Sequence, residues 1–277
     1  MKTALLQFCA SDDPAENCAT LLSMIDDAVA QGCQFILTPE VSNCVSTSRE
    51  HQQSVLRTEA EDETLAALKQ AAARHRIHLL VGSLALKTDD PDGRFANRSF
   101  LIDPTGQVLA SYDKIHMFDV TIAKGETYRE SAGYRPGERA VVAQTDFANV
   151  GMCVCYDMRF PALAQTLAGA GANILTYPSA FSPVTGAAHW ETLLRSRAIE
   201  TGSWVLAPAQ SGQHAISQGR PRMTYGHSLV VDPWGEVVLD AGTESGVYTL
   251  DLNLEKVADA RRRIPALDHT RVFDGPN

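Results

Sequence analysis

Short apolar runs alternate along this chain with segments in which apolar residues recur at helical spacing. Residues 3–8 form the first run, and residues 17–31 follow with apolar side chains on one helical face and end before Gly32. Such alternation predicts strands separated by helices, with Gly32 as a helix cap. The same criteria predict strands at 34–37, 78–83, 141–146, 150–155, 173–177, 204–209 and 247–252, and helices at 62–74, 161–169, 189–201 and 254–263.

Two hairpins interrupt this alternation. Residues 98–112 and 226–239 are each typical of two short strands around a turn that contains Pro and Gly. Because a hairpin joins antiparallel strands, the sheets are expected to be mixed rather than purely parallel. No linker or change in composition divides the chain, so the expected fold class is α/β with one domain spanning residues 1–277.

Two segments lack a clear period and are predicted to be loops. Residues 114–139 contain Gly125, Gly133, Pro136 and Gly137, and loops of that length inside compact domains are usually functional. Residues 210–223 form a second, polar segment with two neighbouring arginines, Arg220 and Arg222. This segment is either a lid over an anionic, peptide-like substrate or a surface excursion.

Composition narrows the class of protein. The 277 residues include 44% hydrophobic and 21% charged positions, which is typical of a globular protein with a sizeable core. The formal net charge of −9 argues against nucleic acid as a partner. No stretch approaches the ~20 apolar residues of a membrane span and no targeting segment is evident, which predicts a cytoplasmic protein without a membrane partner. The six cysteines fit neither a zinc site nor a secreted framework, so reduced thiols and no metal are expected.

The run GMCVCYDMRFP, from Gly151 to Pro161, is the most informative stretch of the chain. It places Cys155 at the end of an apolar run, where polar residues begin. This is a suitable position for a nucleophile, because a strand fixes the direction of the thiol and the following turn presents N–H groups to an oxyanion. A cysteine in a strand is also commonly a small buried hydrophobe, so the pattern by itself leaves both roles open.

Two charged residues follow other predicted strands. Glu40 comes after the strand at 34–37, and Lys114 comes after the first hairpin. A thiol with an ordinary pKa of about 8.5 is mostly protonated at neutral pH. A nearby carboxylate can accept its proton, and a nearby ammonium can stabilise thiolate and oxyanion. Glu40, Lys114 and Cys155 are therefore a sufficient set for acyl transfer, although their spacing does not show that they are close in space.

Three motifs resemble those of the nitrilase superfamily of carbon–nitrogen hydrolases, and the resemblance extends over nearly the whole chain. They are LTPE ending at Glu40, YDKIH around Lys114 and CVCYDMRFP around Cys155, in the order and at the spacing of that family. The resemblance implies a four-layer α-β-β-α sandwich with mixed sheets. It also implies a homodimer or higher homo-oligomer and no cofactor.

The resemblance assigns roles to five residues. It makes Glu40 the general base, Lys114 the oxyanion stabiliser and Cys155 the nucleophile. The backbone N–H of Tyr156 completes the oxyanion hole, and Glu130, in the run TYRES, stands where the family carries a second glutamate. The implied enzyme is an amidase that converts a small carboxamide to an acid and ammonia through a thioester.

Further segments resemble the Nit-type amidases of this family. They are ILTYPSAF, TGAAHWE and RSRAIE. Ser179 in the first of them favours the branch that hydrolyses deaminated glutathione, a metabolite-repair reaction. The alternatives are an ω-amidase acting on 2-oxoglutaramate or 2-oxosuccinamate, and an N-carbamoyl amino acid amidohydrolase.

The two leading substrates carry a 2-oxo acid end, which suggests three substrate-binding residues. Arg159 can form a bidentate pair with a carboxylate, and Ser179 and Phe181 follow a predicted strand beside the nucleophile strand. Arg159 is equally able to form an ion pair with Asp157. Ser179 and Phe181 are equally compatible with ordinary packing in the core.

Three other classes compete with a hydrolase. A binding protein that lost turnover is disfavoured by the intact set of Glu40, Lys114, Glu130 and Cys155. A glutaminase subunit would need a separate synthetase partner, because the chain has no phosphate-binding loop. A thiol acyltransferase of the same fold remains, although the lipoprotein version would need a membrane segment.

Overall fold

The frame of the molecule is a pair of six-stranded sheets, seen here in a computed structural model that describes residues 1–122 and 126–276. In the first sheet three central strands are parallel and the flanking strands are antiparallel to their neighbours. Its order is β16 (Gly246–Asp251), β1 (Lys2–Gln7), β2 (Phe35–Leu37), β3 (His78–Leu86), β4 (Ala96–Ile102) and β5 (Val108–Asp113).

The second sheet repeats this arrangement. It too has three parallel strands, with one antiparallel strand on one side and two on the other. Its order is β15 (Val237–Asp240), β14 (Leu229–Val231), β11 (Trp204–Ala207), β10 (Ile174–Thr176), β9 (Asn149–Met152) and β8 (Val141–Gln144). The prediction of mixed sheets is confirmed.

Helices cover the sheets and complete four layers. Side chains alternate along each strand, so Leu6 of β1 packs with the cluster of α1 (Pro14–Ala30) and α3 (Glu63–His75), whereas Leu5 packs with the second sheet. On the other side, α4 (Pro161–Gly169) and α5 (Pro183–Thr201) pack against the second sheet. The α-β-β-α sandwich is thus confirmed. Two helices complete the set, α2 (Arg49–Val55) and α6 (Glu255–Arg263).

Several element boundaries differ from those predicted. Asp13 accepts a hydrogen bond from Ala15 N at 2.8 Å, so α1 begins at Pro14 rather than at 17. Helix α5 begins at Pro183, six residues before the predicted start. Helix α2, capped by Ser48, was not predicted at all, because its sequence lacks an apolar stripe.

Both segments predicted to be loops contain paired strands. Within 114–139, β6 (Asp119–Ile122) pairs with β7 (Glu126–Arg129), so the expectation of one long loop is wrong; residues 123–125, including Gly125, lie outside the described residues. Within 210–223, β12 (Ser211–Gln213) pairs with β13 (Met223–Tyr225). All four strands are only three or four residues long and therefore give little sequence signal.

The topology places the candidate residues at one edge of each sheet. Strands β2, β3 and β5 run in the same direction, so Glu40 after β2 and Lys114 after β5 emerge together. In the second sheet, Cys155 follows β9 and residues 179–182 follow the parallel β10. Ala180 N donates to Glu40 Oε2 at 2.8 Å, which joins the two edges. No helix in the described part of the chain is long and apolar enough to cross a bilayer.

Candidate active site

Cys155 lies on a turn rather than on a strand, which corrects the predicted strand at 150–155. Strand β9 ends at Met152, and Cys155 opens a 3₁₀ turn, Cys155–Arg159, with a φ of 50°. A positive φ is strained for a residue with a side chain and is typically retained where function requires it. The Cys155 amide donates to Pro178 O at 3.0 Å, so the turn is tied to the neighbouring strand end.

A buried carboxylate holds this turn in place. Asp157 is 1% exposed and accepts hydrogen bonds from Val154 N at 2.8 Å and from the Tyr112 hydroxyl at 2.6 Å. It also accepts from His116 N at 3.0 Å. Because Tyr112 lies on β5 of the first sheet and Val154 precedes Cys155, Asp157 fixes Cys155 relative to both sheets.

Lys114 lies at the centre of the site and is 2% exposed. Its Nζ donates to Glu40 Oε1 at 2.9 Å and to both Glu130 oxygens at 2.9 Å. Glu130 also accepts from Phe118 N at 2.6 Å. One buried cation therefore joins two carboxylates, which satisfies the requirement that buried charges be paired.

The electrostatic balance keeps both members of the central pair charged. Burial raises the pKa of Glu40, but the charge and hydrogen bond of Lys114 outweigh burial and hold the pKa of that carboxyl below its ordinary value. Burial lowers the pKa of Lys114, yet Glu130 and Glu40 raise it well above its ordinary value. At neutral pH the site holds an ammonium between carboxylates.

The thiol of Cys155 is protonated in this environment. Burial, followed by the nearby charge of Glu40, raises its pKa, and Lys114 only partly opposes them. A hydrogen bond between the thiol and Glu40 contributes to the same shift. The resting pair is therefore a neutral thiol beside a carboxylate, and the carboxylate is positioned to accept the proton when sulfur attacks.

A cavity of about 870 Å³ opens onto these four side chains, Glu40, Lys114, Glu130 and Cys155. Its volume lies within the range of small-molecule sites. Of the described residues that line it, the acidic ones are Glu40 and Glu130, both bonded to Lys114. The remaining charged lining residues are cationic: Arg129, Arg220 and Arg222. The cavity therefore favours an anionic ligand.

The residues predicted to bind substrate are placed differently from one another. Phe181 lines the cavity, as does Tyr156, whereas Ser179 and Arg159 are absent from its described lining. Ser179 is fully buried, and its hydroxyl donates to Tyr177 O at 2.9 Å. The Arg159 guanidinium lies 5.8 Å from the Tyr156 ring centroid and 5.7 Å from that of Phe181. Arg159 thus lies near two aromatic rings that line the cavity.

Of two further lining residues, Asn97 was not identified as functional from the sequence, and Arg222 was noted only as part of the polar segment at 210–223. Asn97 Nδ2 donates to Glu40 Oε1 at 2.9 Å and to Glu130 Oε1 at 3.3 Å. Arg222 donates to Ala180 O at 2.6 Å. The arginine pair at 220 and 222 was a visible signal in the sequence, whereas nothing distinguishes Asn97 from any other strand asparagine.

The described residues do not bring together a group of three or more His, Cys, Asp or Glu side chains that could hold a metal ion. The six cysteines, all among the described residues, are free thiols. The predicted nucleophile is thus available in the form that acyl transfer requires.

Comparison with known proteins places this chain in a family. Residues 2–262 match the model of the carbon–nitrogen hydrolase family. The chain belongs to that family, which is the nitrilase superfamily that its motifs resemble, and it is a hydrolase of carbon–nitrogen bonds other than peptide bonds.

Several relatives align over almost the full chain. A deaminated glutathione amidase of Synechocystis sp. (strain PCC 6803 / GT-S) is 36% identical over 98% of this chain and 97% of its own. The omega-amidase of Homo sapiens is 34% identical over 98% of this chain and 95% of its own. The crystal structure of the C. elegans NitFhit protein superposes with a TM-score of 0.89 at 33% identity, covering 98% of this chain and 65% of that one. Fold and sequence therefore agree on the Nit branch.

Proposed function

We propose that this protein is a cysteine amidase in which Glu40, Lys114 and Cys155 carry out the chemistry. The single observation that carries the proposal is the buried cluster in which Lys114 Nζ lies 2.9 Å from Glu40 Oε1 and the charges of both residues act on the Cys155 thiol. This cluster lines one cavity, so base, cation and nucleophile can act on one bound carboxamide.

In the first half-reaction, Cys155 Sγ attacks the carboxamide carbon as Glu40 removes the thiol proton. Negative charge develops on the carbonyl oxygen, and Lys114 and the Tyr156 N–H stabilise it. The Tyr156 amide lies between the Cys155 amide, bonded to Pro178 O, and the Asp157 amide, bonded to Val154 O. Glu40 then protonates the departing nitrogen, so that the amine leaves and a thioester remains; the amine is ammonia for a primary carboxamide and cysteinylglycine for deaminated glutathione.

In the second half-reaction, water attacks the thioester carbon and Glu40 takes one of its protons. The tetrahedral intermediate collapses to the acid, and the thiolate leaving group recovers its proton from Glu40. Glu130 keeps Lys114 in position throughout, because it binds the ammonium with both oxygens. Splitting amide cleavage into two steps lowers each barrier.

For the substrate we propose deaminated glutathione. Two observations support it: a relative of that name aligns over the whole chain, and the cavity of about 870 Å³ with arginines on its lining suits an extended anionic molecule. A five-carbon 2-oxo amide is the second candidate, favoured by the similarly close omega-amidase relative.

The test is hydrolysis by the purified protein at matched low substrate concentrations, followed as cysteinylglycine release from deaminated glutathione and as ammonia release from 2-oxoglutaramate. A higher kcat/KM for deaminated glutathione supports the first substrate, and the reverse order supports an ω-amidase. Activity on neither, but on N-carbamoyl amino acids, would move the protein to that third class. Cys155→Ala should lower turnover by at least about 10⁴-fold on any true substrate, because it removes the nucleophile.

We also propose a single-domain homodimer, or a larger homo-oligomer, in the cytoplasm. Large apolar side chains on one surface support self-association: Ile199 is 54%, Trp234 47% and Ile264 58% exposed. The six free thiols agree with a reducing compartment. Sedimentation of the native protein gives the oligomeric state, and a monomer at micromolar concentration would contradict the first part.

A further inference from the structure

The N-terminus of α5 opens into the same cavity as Cys155. Ser182 caps the helix, and Ser182, Val184 and Thr185 all line the cavity. The first main-chain bond of the helix runs from Gly186 N to Ser182 O at 2.7 Å. The amides of Val184 and Thr185 precede that bond and have no carbonyl partner within the helix. A 19-residue helix therefore directs its positive end at the cavity.

The capping side chain of this helix is unpartnered. Ser182 is 6% exposed, and its Oγ has no hydrogen-bond partner among the described residues. The polar caps of α1, α2 and α3, which are Asp13, Ser48 and Asp62, do accept bonds from amides of their own first turns. A buried hydroxyl without a partner is costly, so its presence in a cavity wall indicates a group that arrives with the ligand.

Arg222 brings a cation to the same wall. Its Nη2 donates to Ala180 O at 2.6 Å, two residues before Ser182. The charge of Arg222 is also felt by Glu40 and by Tyr134, whose hydroxyl accepts from Gln52 Nε2 at 3.0 Å. Arg222 and Tyr134 both line the cavity. A guanidinium, a hydroxyl and two helix amides are the donors that a carboxylate prefers.

We infer that Ser182, the amides of Val184 and Thr185, and Arg222 form a carboxylate-binding subsite that holds the anionic end of the amide substrate. The inference rests on the proposed function, because the same substrate must reach Cys155 with its carboxamide.

The position of the subsite defines the class of substrate. Ala180 N bonds Glu40 Oε2, and the two residues from Ala180 to Ser182 span at most about 7 Å. The subsite therefore lies close to the catalytic cluster, which suits a short amide whose carboxylate is only a few bonds from the carboxamide carbon, as in the monoamide of a dicarboxylic acid.

The test compares an anionic amide with its neutral counterpart. Amide hydrolysis is measured for glutaramate and for its methyl ester with wild type, Arg222→Gln, Arg222→Lys and Ser182→Ala. Arg74→Gln is the control for loss of a surface charge. Arg74 is exposed and bonds Asp26. Arg222→Gln should lower kcat/KM for glutaramate by about 10- to 100-fold, chiefly through KM, and change the ester by less than about 3-fold. Arg222→Lys should recover part of the loss, and Ser182→Ala should cost about 3- to 10-fold.

A binding measurement separates this inference from the proposed reaction. Calorimetry of glutarate with Cys155→Ala protein needs no turnover, and adding Arg222→Gln should weaken the Kd by about 10-fold or more. Equal losses on glutaramate and its ester, or an unchanged glutarate Kd in a variant that unfolds at the wild-type temperature, would refute the subsite. Absence of Cys155-dependent hydrolysis of glutaramate, of 2-oxoglutaramate and of deaminated glutathione by wild type would instead refute the amidase, while the glutarate arm still decides the subsite.

Discussion

Asn97 connects the two carboxylates that surround Lys114. Its Nδ2 donates to Glu40 Oε1 and to Glu130 Oε1, at 2.9 and 3.3 Å. These bonds fix the amide orientation, because only the nitrogen can donate to a carboxylate. The Asn97 Oδ1 atom has no hydrogen-bond partner in the part of the chain described. Asn97 is therefore a positioning residue that favours the charged form of Glu40.

Asn97→Leu should lower kcat more than it weakens substrate binding. Loss of the donated bond raises the pKa of Glu40, so the acid limb of the kcat/KM profile should move to higher pH. Near neutral pH, kcat should fall by about 10-fold with little change in KM. The measurement is a pH profile of amide hydrolysis for the two proteins. An acid limb that does not move would mean that Asn97 supports packing only.

At the scale of elements, apolar periodicity predicted the helices and strands with a strong pattern and missed those without one. Residues 161–169 and the hairpin at 98–112 were found as predicted, because each has a strong pattern and a clear turn or cap. The departure of Cys155 from its strand was not predictable from hydropathy: Val154 is as apolar as Met152, and the turn is imposed by Asp157. Glu40 and Lys114 could be selected from the sequence by their chemistry. That they lie close together could be learned only from the topology of the sheets.

The segment between β12 and β13 is anchored at Ser217, before its arginines, and at the first of them, Arg220. Asp12 Oδ2 accepts from Ser217 N at 2.7 Å and from Ser217 Oγ at 2.8 Å. Thr47 Oγ1 donates to Arg220 O and accepts from Arg220 N, both at 2.9 Å. These bonds hold the cationic side of the cavity in place and favour a fixed wall over a mobile lid.

Thr47→Val should loosen this wall without changing its charge. The variant keeps the shape of the side chain and loses both bonds to Arg220, so amide exchange over 217–222 should accelerate by about 5-fold or more. KM for an anionic amide should rise by about 3- to 10-fold while kcat stays within about 2-fold. Thr20→Val, on the exposed face of α1, is the matched control. Unchanged exchange and KM in Thr47→Val would show that the segment does not depend on this anchor.

Over the whole molecule, the site exists only where the two sheets meet. Glu40 and Lys114 come from the first sheet, Cys155 and Ala180 from the second, and Tyr112 bonds Asp157 across the interface at 2.6 Å. Because the two sheets have the same arrangement of strands, the C-terminal ends of their parallel strands meet at one place. Local patterns in a single sequence do not show that these ends meet. Any change that separates the sheets should therefore remove activity and stability together.

His214 makes the stability of this assembly depend on pH. It is 2% exposed, its Nδ1–H donates to Ala10 O at 2.6 Å, and its Nε2 accepts from the Thr224 hydroxyl at 2.8 Å. Both bonds suit the neutral ring and tie the N-terminal segment to β13. Burial lowers the pKa of His214 to about 4, whereas an unfolded histidine titrates near about 6.5.

Between these two pKa values the unfolded chain binds the additional proton, so the free energy of unfolding should fall as the pH drops from 6.5 towards 4. Lowering the pH from 7 to 5 should reduce the free energy of unfolding by about 2 kcal/mol through this group alone. Above about pH 7 its stabilising contribution is fully present. Urea unfolding of wild type and His214→Gln at both pH values isolates it, because carboxylates such as Asp12 titrate in both proteins. The wild type should lose about 2 kcal/mol more than the variant; parallel losses would show that His214 is not the group responsible.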